Sequence, residues 1–169
     1  MFFVFGYAVD ADAPVELRNV TMLIQDGASA SVEFTFDEGD FQWTTNYEWN
    51  YKPNRGILGS ANGATVTKGD DQPMSVNFQG RYSKYKSVSD AKPQEILSNS
   101  DGSYTSTDLA ACATYACNLL LTNLPSCGEG ESLLFPDFRL DEKQYGIRDG
   151  QVSFTGRCNA VEPEVVPTP

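Results

Sequence analysis

Few residues in this chain are able to do chemistry. Asp70 and Asp71 are adjacent in the segment Lys68-Gly69-Asp70-Asp71-Gln72-Pro73, and Asp137 and Asp141 flank Phe138-Arg139-Leu140. Two carboxylates converging in a cleft would serve a hydrolase built on a β-sheet. Neighbours along an extended chain point to opposite faces, however, which keeps Asp70 and Asp71 from sharing a substrate. In a Gly-Asp-Asp-Gln-Pro turn such side chains bond their own backbone, and Asp137 and Asp141 read as the solvated face of a strand. The chain has no histidine, so the commonest general base and the commonest transition-metal ligand are both missing. No G-x-S-x-G, G-x-G-x-x-G or phosphate-binding loop occurs. The expectation is a protein without catalytic residues, cofactor or metal, and not an enzyme.

Four cysteines remain, at Cys112, Cys117, Cys127 and Cys158. None forms a C-x-x-C pair, which argues against zinc. Their spacing permits zero, one or two disulfides. Cys112 and Cys127 flank a predicted strand over 113–122 and its return, so they are the candidate bridge, a closure worth about 3 kcal/mol. Cys117 falls on an apolar face and reads as a buried free thiol. Assembly in a reducing cytoplasm would instead keep the thiols apart. Trp43, Trp49 and the neighbouring tyrosines would suit stacking on a sugar, although an aromatic stripe of this kind more often belongs to a core. The sequon Asn19-Val20-Thr21 sits in a predicted strand and is discounted.

The elements that position these residues follow from composition and periodicity. A length of 169 residues suits one domain. Ten Phe, eight Tyr and two Trp supply ample area to bury. The net charge is −11, with no basic run, so the surface repels nucleic acid rather than gripping it, as well as keeping the protein soluble. No stretch approaches the ~20 apolar residues of a membrane span. The start, Met1-Phe2-Phe3-Val4-Phe5, lacks a cation before its short apolar run and reads as an uncleaved arm over 1–14.

Period-two alternation dominates the rest. Phe41, Trp43, Thr45, Tyr47, Trp49 and Tyr51 share one face of a long strand, and Gln42, Thr44, Asn46, Glu48 and Asn50 share the other. Shorter alternating runs surround Val20-Met22-Ile24, Val32-Phe34-Phe36, Met74-Val76-Phe78, Cys117-Leu119-Leu121 and Val152-Phe154. Turns at Asp26-Gly27, Glu38-Gly39-Asp40, Lys68–Pro73 and Asp149-Gly150 separate them, giving a mainly β, antiparallel sandwich or partial barrel. One short helix is predicted from Pro93 at its first position, with Ile96 and Leu97 inward. Residues 51–64 carry Pro53, Gly56, Gly59 and Gly63 and read as a long loop of the kind that is usually functional. The single β domain spans 15–160, and 161–169, with three prolines, reads as a flexible, extended tail.

The order of these pieces resembles the tail tube (major tail) proteins of long-tailed phages. The resemblance covers about 15–160. It rests on the strand pair around Arg18–Met22 and Val32–Phe36, on Glu38-Gly39-Asp40-Phe41-Gln42-Trp43 with Arg55-Gly56 after it, on Lys68-Gly69-Asp70-Asp71-Gln72-Pro73 before an alternating strand, and on the closing pair Leu134–Arg139 and Gly150–Ala160. The arm over 1–13 and the segment between the helix and Thr114 depart from the pattern. The resemblance implies a virion protein, assembled in the host cytoplasm. Its copies would form hexameric rings whose inner sheets complete a β-barrel tube, and the rings would stack. It implies tape measure, terminator and initiator proteins as partners, with DNA passing through an acidic lumen without specific binding and no contact with membrane. On that picture Glu33 and Glu48 face the lumen, while Lys52, Arg55 and Ile57 of the long loop, with the N-terminal arm, make the stacking contacts. The alternative is a secreted carbohydrate-binding β-sandwich, which would need exposed, coplanar aromatic rings.

Overall fold

The computed structural model describes residues 20–36, 41–53, 64–81, 92–123, 131–146 and 150–167. Ten strands and one helix lie there: β1 (Val20–Gln25), β2 (Ser31–Thr35), β3 (Phe41–Asn46), β4 (Trp49–Pro53), β5 (Ala64–Lys68), β6 (Gln72–Arg81), α1 (Pro93–Ser98), β7 (Cys117–Asn123), β8 (Glu131–Gly146), β9 (Gln151–Arg157) and β10 (Glu164–Pro167). Every strand pairing is antiparallel. The main path runs β2-β1-β7-β8-β9-β6-β3, with β10 also on β8, and β4 pairs β5 alone. The architecture is mainly β with one short helix, as the alternation predicts. Among the described residues the path does not close into a barrel, since β2 and β3 end it.

β8 folds this path into two layers. Its first half pairs β7 and β10, and its second half pairs β9. The register slips between Cys117 and Leu119 on β7, and again between Leu140 and Glu142. Such bulges bend a strand. Asp137 takes the left-handed backbone that the first bend requires (φ 49°), and its N–H donates to Asn118 Oδ1. β9 passes close beneath the corner at Gly156, where a Cβ would lie 2.2 Å from the Arg139 carbonyl oxygen. One layer is thus β2-β1-β7-β8-β10 and the other is β8-β9-β6-β3.

The layers face each other through phenylalanines. Phe34 of β2 meets Phe78 of β6 and Phe154 of β9 edge-on, at 5.7 and 6.1 Å between ring centres. Phe41 of β3 meets Phe135 of β8 at 5.1 Å. Alternation sends Met74, Val76 and Phe78, and likewise Val152 and Phe154, into this core. α1 adds Ile96 and Leu97. It starts at Pro93, where a missing N–H is harmless, and ends at Asn99 in a left-handed backbone whose N–H reaches the Glu95 carbonyl.

Two elements differ from expectation. The strand predicted over 41–51 is broken after Asn46, so β3 and β4 belong to different sheets. The tail is extended, as its prolines require, but Glu164–Pro167 pairs with Glu131–Leu134 of β8 as β10 instead of hanging free.

Candidate assembly surfaces

The residues singled out for chemistry do not converge on one site. Asp71 is tied to Lys68 at 2.7 Å within its own turn, while Asp70 points to solvent. The turn is clamped by Gly69 N–H donating to the Glu48 carbonyl, 2.7 Å away. A Cβ at Gly69 would strike the Glu48 side chain. Asp137 accepts from the Thr107 hydroxyl at 2.8 Å, and Asp141 pairs with Arg157 at 3.2 Å. Among the described residues no group of three or more His, Cys, Asp or Glu side chains could hold a metal ion, and no helix is long and apolar enough to cross a membrane.

Cys117 and Cys158 are buried free thiols, and Cys112 is free and exposed. Burial pushes the Cys117 and Cys158 thiols up to about 12, the nearby Cys158 thiol adding to the first and Asp137 to the second. Cys127, the suggested partner of Cys112, lies outside the described residues. Cys112 sits in a left-handed turn (φ 67°) on a well-braced loop. Asp26 accepts from the N–H groups of Ala28, Ala30 and Thr105. Arg139 pairs with Asp108 and donates to Thr114 Oγ1. Leu109, at the tip of this loop, is 88% exposed.

The aromatic stripe, by its period a core face, is only partly core. Phe41 packs inward, but Trp43 is 38%, Trp49 51% and Tyr51 67% exposed. The physical reason is that the sandwich ends at Trp43, whose ring leans on Phe135. Beyond Asn46 the chain leaves the core and forms the β4–β5 hairpin. There Tyr51 stands opposite Val66 and Trp49 opposite Lys68, whereas Asn50 and Lys52 oppose Thr67 and Thr65. One face is therefore aromatic and the other polar. Tyr47, at the hairpin's root, donates its hydroxyl proton to the Glu162 carboxylate. A two-stranded ribbon is marginal in water unless it packs on something, and among the described residues this one pairs with no other strand. Lys52 lies on it and is exposed; Arg55 and Ile57, like the N-terminal arm, lie outside the described residues.

Glu33 is exposed on β2, and Glu48 is exposed at the root of the hairpin. The alternation and the resemblance put Glu33 and Glu48 on the polar faces of two adjacent strands. In the structure β2 and β3 stand at opposite ends of the strand order. Periodicity gives a residue's face but not the order of strands, so this separation was not readable from sequence.

In the β8-β9-β6-β3 layer, backbone hydrogen-bonding capacity is left open at both edges among the described residues. Among the described residues β3 is bonded on one side only, to β6. The second half of β8, beyond the last β7 pairing at Phe138, is bonded only to β9 among the described residues. The four strands between these edges alternate in direction, because each pairing is antiparallel.

No family model matches the chain, and no curated protein matches it. A solved structure does: a chain in the cryo-EM structure of the anti-feeding prophage (AFP) baseplate, 6-fold symmetrised. The two agree with a TM-score of 0.50 over 91% of this chain and 96% of that one, at 10% identity. The likeness is one of fold.

Proposed function

We propose that this chain is a structural subunit of a phage-type tail: a tail tube protein that closes into six-membered rings and stacks. The observation that carries this reading is the fold likeness spanning nearly all of both chains, to a chain from a six-fold baseplate. The free edges of the β8-β9-β6-β3 layer give it a physical route. In a cyclic ring β3 of one copy would meet β8 of the next, and the alternation of strand direction makes that junction antiparallel like the rest. Joining edges also removes the unpaired backbone that otherwise invites aggregation.

Size favours six copies. Six sets of four strands, spaced ~4.8 Å and tilted by about 35–45°, put the backbone at a radius of about 22–26 Å, and side chains would leave a clear bore of roughly 35 Å. Four copies would bring the backbone radius to about 15–17 Å and leave little room for a hydrated duplex. The β4–β5 hairpin, with its aromatic face and Lys52, is the element that reaches the next ring, where cations suit a neighbour of net charge −11. Tape measure, terminator and initiator proteins are the partners this role entails, and the assembled tail of the virion is its location.

The carbohydrate-binding alternative gains from the exposure of Trp49 and Tyr51. The fold likeness to a baseplate chain weighs against it. Negative-stain microscopy of the concentrated protein tests the proposal. Rings or tubes are expected. A strict monomer at every concentration, with the tail initiator present, would refute it.

A further inference from the structure

The core side of the β8-β9-β6-β3 layer runs out of cover at both of its edges. Residues directly opposite in an antiparallel pair share a face, so the register carries the core side outward from β6 and β9. On β3 it reaches Phe41, opposite Phe78, and Trp43, opposite Val76. On β8 it reaches Lys143, opposite Phe154, and Tyr145, opposite Val152. Val76, Phe78, Val152 and Phe154 are buried, whereas Trp43 is 38% and Tyr145 48% exposed, and Lys143 is exposed too. Trp43 leans on Phe135, 5.7 Å between ring centres, and still leaves over a third of its surface to water.

The two edges complement each other. β3 carries no charged side chain from Phe41 to Asn46 and presents an indole. The β8 edge carries, on the same side, a cation on an aliphatic stem beside a second aromatic ring, and both suit an indole face. The strand pairings make β3 and this half of β8 antiparallel. A continuous sheet needs core side to meet core side. In the two such registers that place five residues of β3 within 141–146, Trp43 has Lys143 or Tyr145 directly across. The other of the two then lies on the diagonal, about 7–8 Å away and within reach of so long a side chain. A slip of one residue would set Trp43 across from Gln144 or Glu142 and turn the core side of one copy toward the outer side of the next. Like edges serve less well, because β3 on β3 leaves two β8 edges open and β8 on β8 leaves two β3 edges open.

We infer that Trp43 seats on Lys143 and Tyr145 of the next copy, and that this contact sets the register and facing in which β3 and β8 join. The inference rests on the ring reading above and deepens it, from which edges meet to which side chains align them. Backbone pairing alone does not choose a register, since every slip offers hydrogen bonds. The choice falls to the side chains. Trp43 makes the correct junction the one that covers its ring, and Lys143 and Tyr145 are covered in the same step.

Two measurements on assembled rings test this. The first uses Gln42→Cys, Thr44→Cys and Gln144→Cys, each alone in a Cys112→Ser/Cys127→Ser background. All three positions are exposed and lie on the side of these strands away from Trp43, so the substitutions spare the core. In the two allowed registers Gln144 stands directly across from Gln42 or from Thr44, with Cα atoms ~4.5–5.5 Å apart, close enough for a disulfide. Oxidised rings mixed from Gln144→Cys and each β3 variant should give dimers holding one copy of each, with one β3 position at least fivefold ahead of the other. Rings that give no mixed dimer, or unmixed rings that link 42 to 42, 44 to 44 or 144 to 144, overturn the inference. The second uses Trp49→Phe, which leaves Trp43 as the one tryptophan. Quenching of its fluorescence by acrylamide should weaken at least threefold from dispersed protein to rings. Equal quenching in both states overturns the inference as well. Native protein that never forms rings would instead overturn the ring reading itself, and this inference with it.

Discussion

Gly80 is where the two layers meet most tightly. It stands on the inward side of β6, and a Cβ there would lie 2.3 Å from Phe34 Cζ and 2.6 Å from its Cε1. Phe34 is buried, with rings of Phe36, Phe78 and Phe154 around it, so it has nowhere to retreat. Gly80→Ala should therefore overpack the core, at a cost of ~1–3 kcal/mol. The lower backbone entropy of alanine in a strand returns roughly 0.5–1 kcal/mol, leaving a net loss of about 1–2 kcal/mol. For a domain of this size that is a fall in Tm of about 2–8 °C. Phe34→Leu makes room at its own cost, so Gly80→Ala should be nearly neutral in that background, a coupling of about 1 kcal/mol or more. Urea denaturation of the dispersed protein at low concentration, read through the midpoint at constant slope, measures the cycle. If Gly80→Ala is neutral alone, or costs the same with and without Phe34, the packing of β2 on β6 is not the seal argued for here.

Deleting 54–62 should leave a protein with native circular dichroism that forms single rings or stays dispersed and does not elongate; long tubes from the deletion variant would leave stacking to the N-terminal arm. Cys112 should be alkylated in the native protein, while Cys117 and Cys158 should react only on unfolding, and intact mass after alkylation also reports whether Cys112 and Cys127 are bridged. The two buried thiols carry a pH signature as well. Their folded values, near 12, lie above the ordinary value of 9.0, so their burial costs nothing below about pH 9, and stability should fall as pH rises from about 9 to about 12, by ~1.4 kcal/mol per pH unit for each thiol. Flat urea midpoints across that window would show that these thiols are not buried in the folded state.

What could be read in the sequence was local. Alternation placed Met74, Val76 and Phe78, and Val152 and Phe154, on one face because a core position demands an apolar side chain whatever lies across from it. Pro93 announced the start of α1 because few other positions tolerate it. The aromatic stripe from Phe41 to Tyr51 misled for a related reason. Its period is that of a buried face, and nothing in the pattern marks Asn46 as the place where the sandwich runs out. Pairing order was equally hidden. β2 and β3 are close in sequence and at opposite ends of the path, and the bend that separates the layers depends on two bulges in β8, which leave no mark in the hydrophobic period.

The features that periodicity misjudged are also those without a partner inside one copy. Trp49, Tyr51 and Val66 are apolar as a core is apolar, yet they face water. A fold that buries its own core has no use for such a face. It is explained if the unit that selection acted on is the ring and its stack, because the hairpin's aromatic face then completes a contact with the next ring. Elongation is what deletion of 54–62 must then remove; a deletion variant that still grew long tubes would take the hairpin off the stacking contact and leave its aromatic face without a reason.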